Sequence, residues 1–165
     1  MKLALATLAA PATLLLAAMA ADAGEASPPP AARLVGTVLN SVAVDRQLAF
    51  YETAFGLRVA MTLDHGTRRE YMLRFSADPD EAGLIIVHDS APDAAKHLSH
   101  GNGFDRIVLR VEDMDGLVRR LDAAGIAHQP LREAAGGYRV LLLDDPEGYA
   151  LEVIQRGGAR AEPRK

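Results

Sequence analysis

Two arginines, one asparagine and one glutamate have the types and spacing to bind a small molecule. Arg106 and Arg110 lie four residues apart in the apolar segment 105–111, so in a strand they share one face. Asn40 and Glu152 take the equivalent face of two further predicted strands. A guanidinium can donate two parallel hydrogen bonds to a carboxylate or phosphate. A glutamate can orient a ligand or, where burial raises its pKa, act as a general base. This set predicts a ligand site in which Glu152 is the candidate catalytic residue.

Other reaction chemistries find little support in the 165 residues. The chain has no cysteine, which excludes disulfides, thiol nucleophiles and thiolate metal sites. It has no Gly-x-Ser-x-Gly motif and no glycine-rich phosphate loop after a strand. The net charge of −4, without a basic run, argues against nucleic acid as a partner.

The histidines do not recur at the spacing of a metal motif, so we expect them to be solvated loop residues. They are His65, His88, His97, His100 and His128. An alternative that stays open is a non-standard metal site in which His88 or His100 joins Glu152.

Two successive sets of elements position these residues. The first set consists of a strand at 34–42, a helix at 46–54 and strands at 57–63, 69–75 and 83–88. The second consists of a strand at 105–111, a helix at 113–124 and strands at 126–129, 138–143 and 149–155. Asp45 is the predicted N-cap of the first helix, and Gly56 ends it.

The two sets form an internal repeat. The segment 78–87 aligns with 145–154, and in both an Asp-Pro pair precedes an apolar strand. Gly56-Leu57 matches Gly125-Ile126 at the end of each helix. The sequence therefore predicts an α+β domain made of two β-α-β-β-β units.

Three of these stretches resemble signatures of the vicinal oxygen chelate superfamily, which includes glyoxalases, bleomycin-resistance proteins and extradiol dioxygenases. Asp-Pro-Glu-Gly-Tyr-Ala-Leu-Glu at 145–152 resembles its closing motif. Phe50-Tyr51 with Phe-Gly-Leu at 55–57 resembles its first helix, and Val-Glu-Asp-Met-Asp at 111–115 resembles the start of its second module. The resemblance covers residues 33–156 and implies paired βαβββ modules that form an open half-barrel, the glyoxalase/bleomycin-resistance/dihydroxybiphenyl dioxygenase fold.

The family's metal ligands come from the first and last strand of each module. Carried over, those four positions fall at Gly36, Ile85, Arg106 and Glu152, so one retains a ligand type. The resemblance thus implies a cleft without a standard metal site, although a divalent metal held by Glu152 stays open. A second open alternative is that Arg106 and Glu152 pair with each other and fill the cleft without a ligand.

Three functions follow from the resemblance. The preferred one is a metal-free protein that binds a small polar or anionic molecule, similar to the bleomycin-resistance branch, whose cleft is commonly formed by a homodimer. The second is a glyoxalase-like lyase or an extradiol dioxygenase-like enzyme with a degenerate metal site. The third is a structural subunit of an exported complex.

The N-terminus predicts export to the periplasm or outside the cell. Residues 1–23 combine Lys2, an apolar stretch and small residues at a cleavage spacing, which is typical of a signal peptide. We therefore expect no stable membrane insertion after cleavage. Residues 24–32 form a proline-rich linker, 33–156 the domain with modules at about 33–90 and 103–156, and 157–165 a disordered tail.

Overall fold

A computed structural model describes residues 31–157, with a folded unit that begins at Arg33. The first module contains β1 (Gly36–Asn40), α1 (Val44–Phe55), β2 (Arg58–His65), β3 (Arg68–Arg74) and β4 (Gly83–Asp89). The second contains β5 (Ile107–Arg110), α2 (Met114–Ala123), β6 (Arg132–Ala134), β7 (Tyr138–Asp144) and β8 (Ala150–Arg156). The predicted signal peptide, the linker up to residue 30 and the tail from residue 158 lie outside the described residues. None of the described helices is long and apolar enough to span a membrane.

Each module forms one four-stranded mixed sheet. The strand order is β1-β4-β3-β2 in the first sheet and β5-β8-β7-β6 in the second. In both, the outer first strand runs parallel to the last strand, and the remaining pairs are antiparallel. The predicted fold class, a pair of βαβββ modules, is confirmed.

One apolar core joins the two modules. Alternate strand residues face the helices, as Leu39 and Ile86 do in the first sheet and Leu141 and Val153 in the second. From the helices, the buried apolar side chains are Phe50, Tyr51, Ala54, Met114, Leu117 and Leu121. The other face of each sheet, called the open face below, points away from this core.

The start of α1 corrects one sequence prediction. Its N-cap position is Ala43, whereas Asp45 lies within the first turn and was wrongly predicted as the cap. The free N–H groups of Val42 and Ala43 instead donate to Glu147 from the second module. In α2 the cap is local, since the Asp113 side chain accepts a 2.8 Å hydrogen bond from the backbone of Gly116.

The predicted strand at 126–129 is the second error. This segment contains no strand, and the edge strand β6 forms later, at Arg132–Ala134. Gln129 donates a single backbone bond of 2.8 Å to Leu142. The next residue, Pro130, has no N–H to extend the ladder.

Candidate functional site

A cavity of about 720 Å³ lies on the open face of the second sheet and is called the second-sheet cavity below. Strands β6, β7 and β8 line it, together with residues 105–106 just before β5 and the segment before β6. Its polar lining residues are Asp105, Arg106, His128, Gln129, Arg132, Glu133, Asp144 and Glu152. Val140, Leu142 and Ala150 are among the apolar ones. The cavity therefore combines an apolar wall with several charges.

Arg106 and Glu152 form an ion pair in this cavity. The Arg106 Nε donates a hydrogen bond to the Glu152 carboxylate, and its Nη1 donates to Asp105. The hydrogen bond that Arg106 donates to Glu152, followed by the charges of both carboxylates, raises the pKa of Arg106. The Glu152 side chain is 19% exposed and that of Arg106 42%. The ion pair between Arg106 and Glu152, which the sequence left open as an alternative, is thus formed. Arg106 has two carboxylate partners.

The other two predicted ligand-binding residues lie elsewhere. Arg110 lines a smaller crevice of about 320 Å³, with Phe55 and Leu117, and pairs with Glu112 at 3.7 Å. Asn40 ends β1 in the first sheet, away from the lining of the second-sheet cavity. The structure therefore brings together two of the four residues, Arg106 and Glu152.

The positions that hold metal in the family do not fit a metal ion here. An ideal Cβ at Gly36 would lie 2.6 Å from the carbonyl oxygen of Gly83, so this strand pair leaves no room for a ligand side chain. Ile85 has no donor atom, and a guanidinium occupies the third position. Across residues 31–157, no three His, Cys, Asp or Glu side chains group so that they could hold a metal ion. One carboxylate, already paired with Arg106, does not supply the three or four donors that such sites use.

A buried carboxylate in the β7–β8 turn ties the modules together. Asp145, 5% exposed, accepts hydrogen bonds from the Tyr51 hydroxyl at 2.7 Å and from the amide of Gln47. Its other oxygen accepts from the backbones of Glu147 and Tyr149 at 2.9 and 3.0 Å. Burial raises the pKa of Asp145, and these hydrogen bonds oppose the rise. The Asp-Pro motif marked the turn in the sequence, but nothing there indicated its partners in α1.

Glu147, in the same turn, caps α1 from outside. One oxygen accepts from Ser41 Oγ at 2.8 Å and from the backbones of Val42 and Ala43 at 3.1 and 2.8 Å. A carboxylate at a helix N-terminus also interacts favourably with the helix dipole. Next to it, the Tyr149 hydroxyl lies 3.1 Å from both the backbone N and O of Asn40. The turn between β7 and β8 therefore fixes the start of the first helix to the second module.

Three of the histidines predicted to be solvated loop residues also make contacts; of the first two, His100 is an exposed loop residue as predicted, whereas His88 lies in β4 and is half-buried. Nδ1 of His88 lies 2.9 Å from the carbonyl oxygen of Ser41. Nε2 of His100 lies 2.8 Å from the carbonyl oxygen of Glu147, and its ring packs edge-on against Tyr149 at 4.4 Å. Neither His88 nor His100 lines the cavity that contains Glu152, so the open alternative of a shared metal site has no geometric support.

His128 is the histidine that lines the second-sheet cavity. Its Nδ1 lies 2.9 Å from the carbonyl oxygen of Gln129, and its Nε2 lies 3.1 Å from the Asp122 carboxylate. Both ring nitrogens face acceptors, which favours the doubly protonated ring. The bond to Gln129 and the pairing with Asp122 raise the pKa of His128, against a smaller opposing effect of burial.

Comparisons with known proteins agree on one family. The model of the Glyoxalase/Bleomycin resistance protein/Dioxygenase superfamily matches residues 33–153. A Vibrio cholerae protein named probable lactoylglutathione lyase is 24% identical over 131 residues, 78% of this chain and 94% of that protein. A lactoylglutathione lyase of Arabidopsis thaliana is 27% identical over 116 residues; the match covers 69% of this chain and 41% of the plant protein. The glyoxalase I structure from Leishmania major has a TM-score of 0.64 at 20% identity, covering 76% of this chain and 87% of that one, and supports the fold.

Proposed function

The chain is a member of the glyoxalase/bleomycin resistance protein/dioxygenase superfamily, and from that membership we propose that it binds a small polar or anionic organic molecule in the second-sheet cavity. The observation that carries the proposal is the Arg106–Glu152 pair, which stands where the family places two metal ligands. Polar groups that converge on an apolar concave wall are the usual mark of a small-molecule site. The volume of about 720 Å³ lies in the range of such sites.

In this proposal Arg106 and Glu152 supply the polar contacts of the site. Glu152 offers an acceptor for a ligand N–H or O–H, and Arg106 holds it in place while its remaining N–H groups stay available. Val140, Leu142 and Ala150 supply the apolar wall. We keep Arg110 and Asn40 as ligand contacts only for a larger molecule that reaches beyond this cavity.

A second candidate function is a lyase or dioxygenase similar to the enzymes of this family. The names of the lactoylglutathione lyase relatives favour it. Three of the four metal-ligand positions of the family argue against it. They hold Gly36, Ile85 and Arg106, which leaves one carboxylate for any metal. In such an enzyme Glu152 would be the candidate general base.

Metal analysis separates the two candidates. We expect purified protein to contain no stoichiometric metal, and zinc or nickel ions to leave its melting temperature unchanged. The physical reason is the missing donor set around Glu152. The measurement is elemental analysis together with a thermal-shift titration.

The matched control for this experiment is the Glu152→Ala variant. Stoichiometric metal in the parent protein that disappears in Glu152→Ala would contradict a metal-free site and favour the enzyme. Metal that persists in the variant belongs to another part of the chain, and the cavity then stays a metal-free site.

We further propose that the protein forms a homodimer through its open sheet faces. On the first sheet, Val38, Ile85, Met72 and Met61 lie side by side across β1, β4, β3 and β2. Val38 is 56% and Met61 50% exposed. An apolar row of this kind on a monomer marks an interaction surface, and members of this family often dimerise.

Export remains a proposal that rests on residues 1–23. The supporting features are Lys2, the apolar stretch after it and the small residues near position 23. Expression in a Gram-negative host, followed by fractionation and mass measurement, tests it. The expected product is periplasmic protein shortened by about two dozen residues, whereas a full-length cytoplasmic product would contradict export.

A further inference from the structure

Arg132 is an exposed cation on the open face of the second sheet. It begins β6 and lies opposite Val140 of β7, so its side chain shares the face of Val140 and of the Leu142–Glu152 pair. It lines the second-sheet cavity and forms no ion pair with the described residues. Arg106, the other arginine of the cavity, is already bound to two carboxylates.

The charges of the cavity divide between its two sides. On the side of β5 and β8, Asp105 and Glu152 both pair with Arg106, which gives that side a net negative charge, and Asp144 ends β7 between the two sides. On the β6 side lie Arg132 and His128, whose two ring nitrogens both face acceptors. Two acids on that side are each paired with another cation, since Asp122 lies 3.1 Å from His128 and Glu133 lies 3.9 Å from Arg139, so Arg132 is the cation there without a carboxylate partner among the described residues. An anionic group is therefore repelled by the first side and attracted by the second.

We infer that Arg132 binds the anionic group of the ligand, and that the ligand is an amphipathic organic anion whose apolar body lies along Val140 and Leu142. The inference rests on the proposed function of the cavity and names its ligand class. Glu152 then faces the far end of the ligand and accepts a hydrogen bond from it.

The strand spacing sets the length of such a ligand. β7 separates β6 from β8, and Glu152 lies opposite Leu142, two residues along β7 from the Val140 that faces Arg132. The backbones of Arg132 and Glu152 are therefore about 10 Å apart across the sheet and about 7 Å apart along it, or about 12 Å in all. Both side chains point into the same cavity and shorten the gap. One or two fused or linked rings with a carboxylate or sulfonate at one end span this distance, and a planar guanidinium matches such an anion in a bidentate way.

A pair of fluorescent probes that differ in charge tests the inference. Anilinonaphthalene sulfonate carries an anion, and N-phenylnaphthylamine is its neutral counterpart of similar shape. We expect Arg132→Gln to weaken sulfonate binding about tenfold, since a lost charge-assisted hydrogen bond has that effect. Binding of the neutral probe should stay unchanged. Arg119→Gln, which removes an exposed arginine of α2 outside the cavity, is the matched control and should change neither probe.

The outcomes separate this inference from the proposed function. Unchanged sulfonate binding in Arg132→Gln, or an equal loss of both probes, would overturn the role of Arg132. A further variant, Leu142→Trp, fills the cavity from its wall. Loss of both probes in Leu142→Trp supports the cavity as the binding site whatever Arg132 does. Retention of both probes at full affinity in Leu142→Trp would overturn the cavity itself, and with it the proposed function.

Discussion

At the scale of single residues, the ion pair of Arg106 and Glu152 shows how a family site changes its chemistry. Arg106, a cation, occupies a position at which the family has a neutral or anionic metal ligand. The guanidinium fixes the direction of the glutamate by a hydrogen bond and offers no open coordination position of the kind that a metal has. In the proposed function, these two residues select the ligand by hydrogen bonding and charge.

The cap of α1 gives the first prediction. Glu147→Ala should lower the free energy of unfolding by about 2 kcal/mol, because three donors at the helix N-terminus lose a charged acceptor. Glu147→Gln keeps a neutral acceptor and should cost about half as much. Urea unfolding measures both. Glu112→Ala, at an exposed side chain, is the control and should stay within about 0.5 kcal/mol; an equal loss there would contradict the capping role.

His128 gives a prediction on pH. Its pKa is raised above the ordinary value of 6.5, so its pairing stabilises the folded protein fully below that pH. This contribution should disappear as the pH rises through the raised pKa. Urea midpoints followed from about pH 5.5 to 8.5 should therefore fall in the parent and fall less in Asp122→Asn. A direct check is NMR titration of the imidazole, with exposed His97 as the reference; a His128 pKa at or below 6.5 would contradict the argument.

At the scale of strands and helices, two glycines let β1, β4 and β3 approach closely. A Cβ at Gly83 would lie 1.9 Å from the carbonyl oxygen of Leu73, and one at Gly36 would lie 2.6 Å from that of Gly83. Gly83→Ala and Gly36→Ala should each lower the free energy of unfolding by about 1–3 kcal/mol through overpacking. Gly103→Ala is the matched control, since no atom lies within 4 Å of its added Cβ. Thermal or urea unfolding that shows all three variants alike would contradict the close approach.

The elements also show what the sequence could predict. The spacing of apolar residues, every second residue in strands and every third or fourth in helices, predicted seven of the eight strands and both helices. Burial of one face of an element imposes this spacing. The prediction at 126–129 failed because a short segment that begins with apolar residues resembles a strand in sequence whether or not it pairs with a neighbouring strand. That error hid Arg132, which the pattern left in a loop. Strand alternation did bring Arg106 and Glu152 together, whereas the partners of Asp145 and Glu147 depend on contacts about one hundred residues away.

At the scale of the whole molecule, the helices and the shared core lie between the modules, and the open face of the first sheet carries an exposed apolar row. If a second copy covers this row, the dimer should dissociate when a charge enters it. Met61→Lys should shift sedimentation from dimer to monomer, because burial of an unpaired ammonium is costly. Lys96→Ala, in the loop between the modules, is the control. A monomeric parent protein, or a Met61→Lys variant that stays dimeric, would contradict the proposed interface.

The cap that Glu147 provides for α1 also bears on how the chain acquires its fold during synthesis. Val42 receives its acceptor from a residue 105 positions later. A ribosome that adds about 5–20 residues per second exposes the first helix several seconds before the turn that completes it. During synthesis the first helix therefore lacks this cap until Glu147 has emerged.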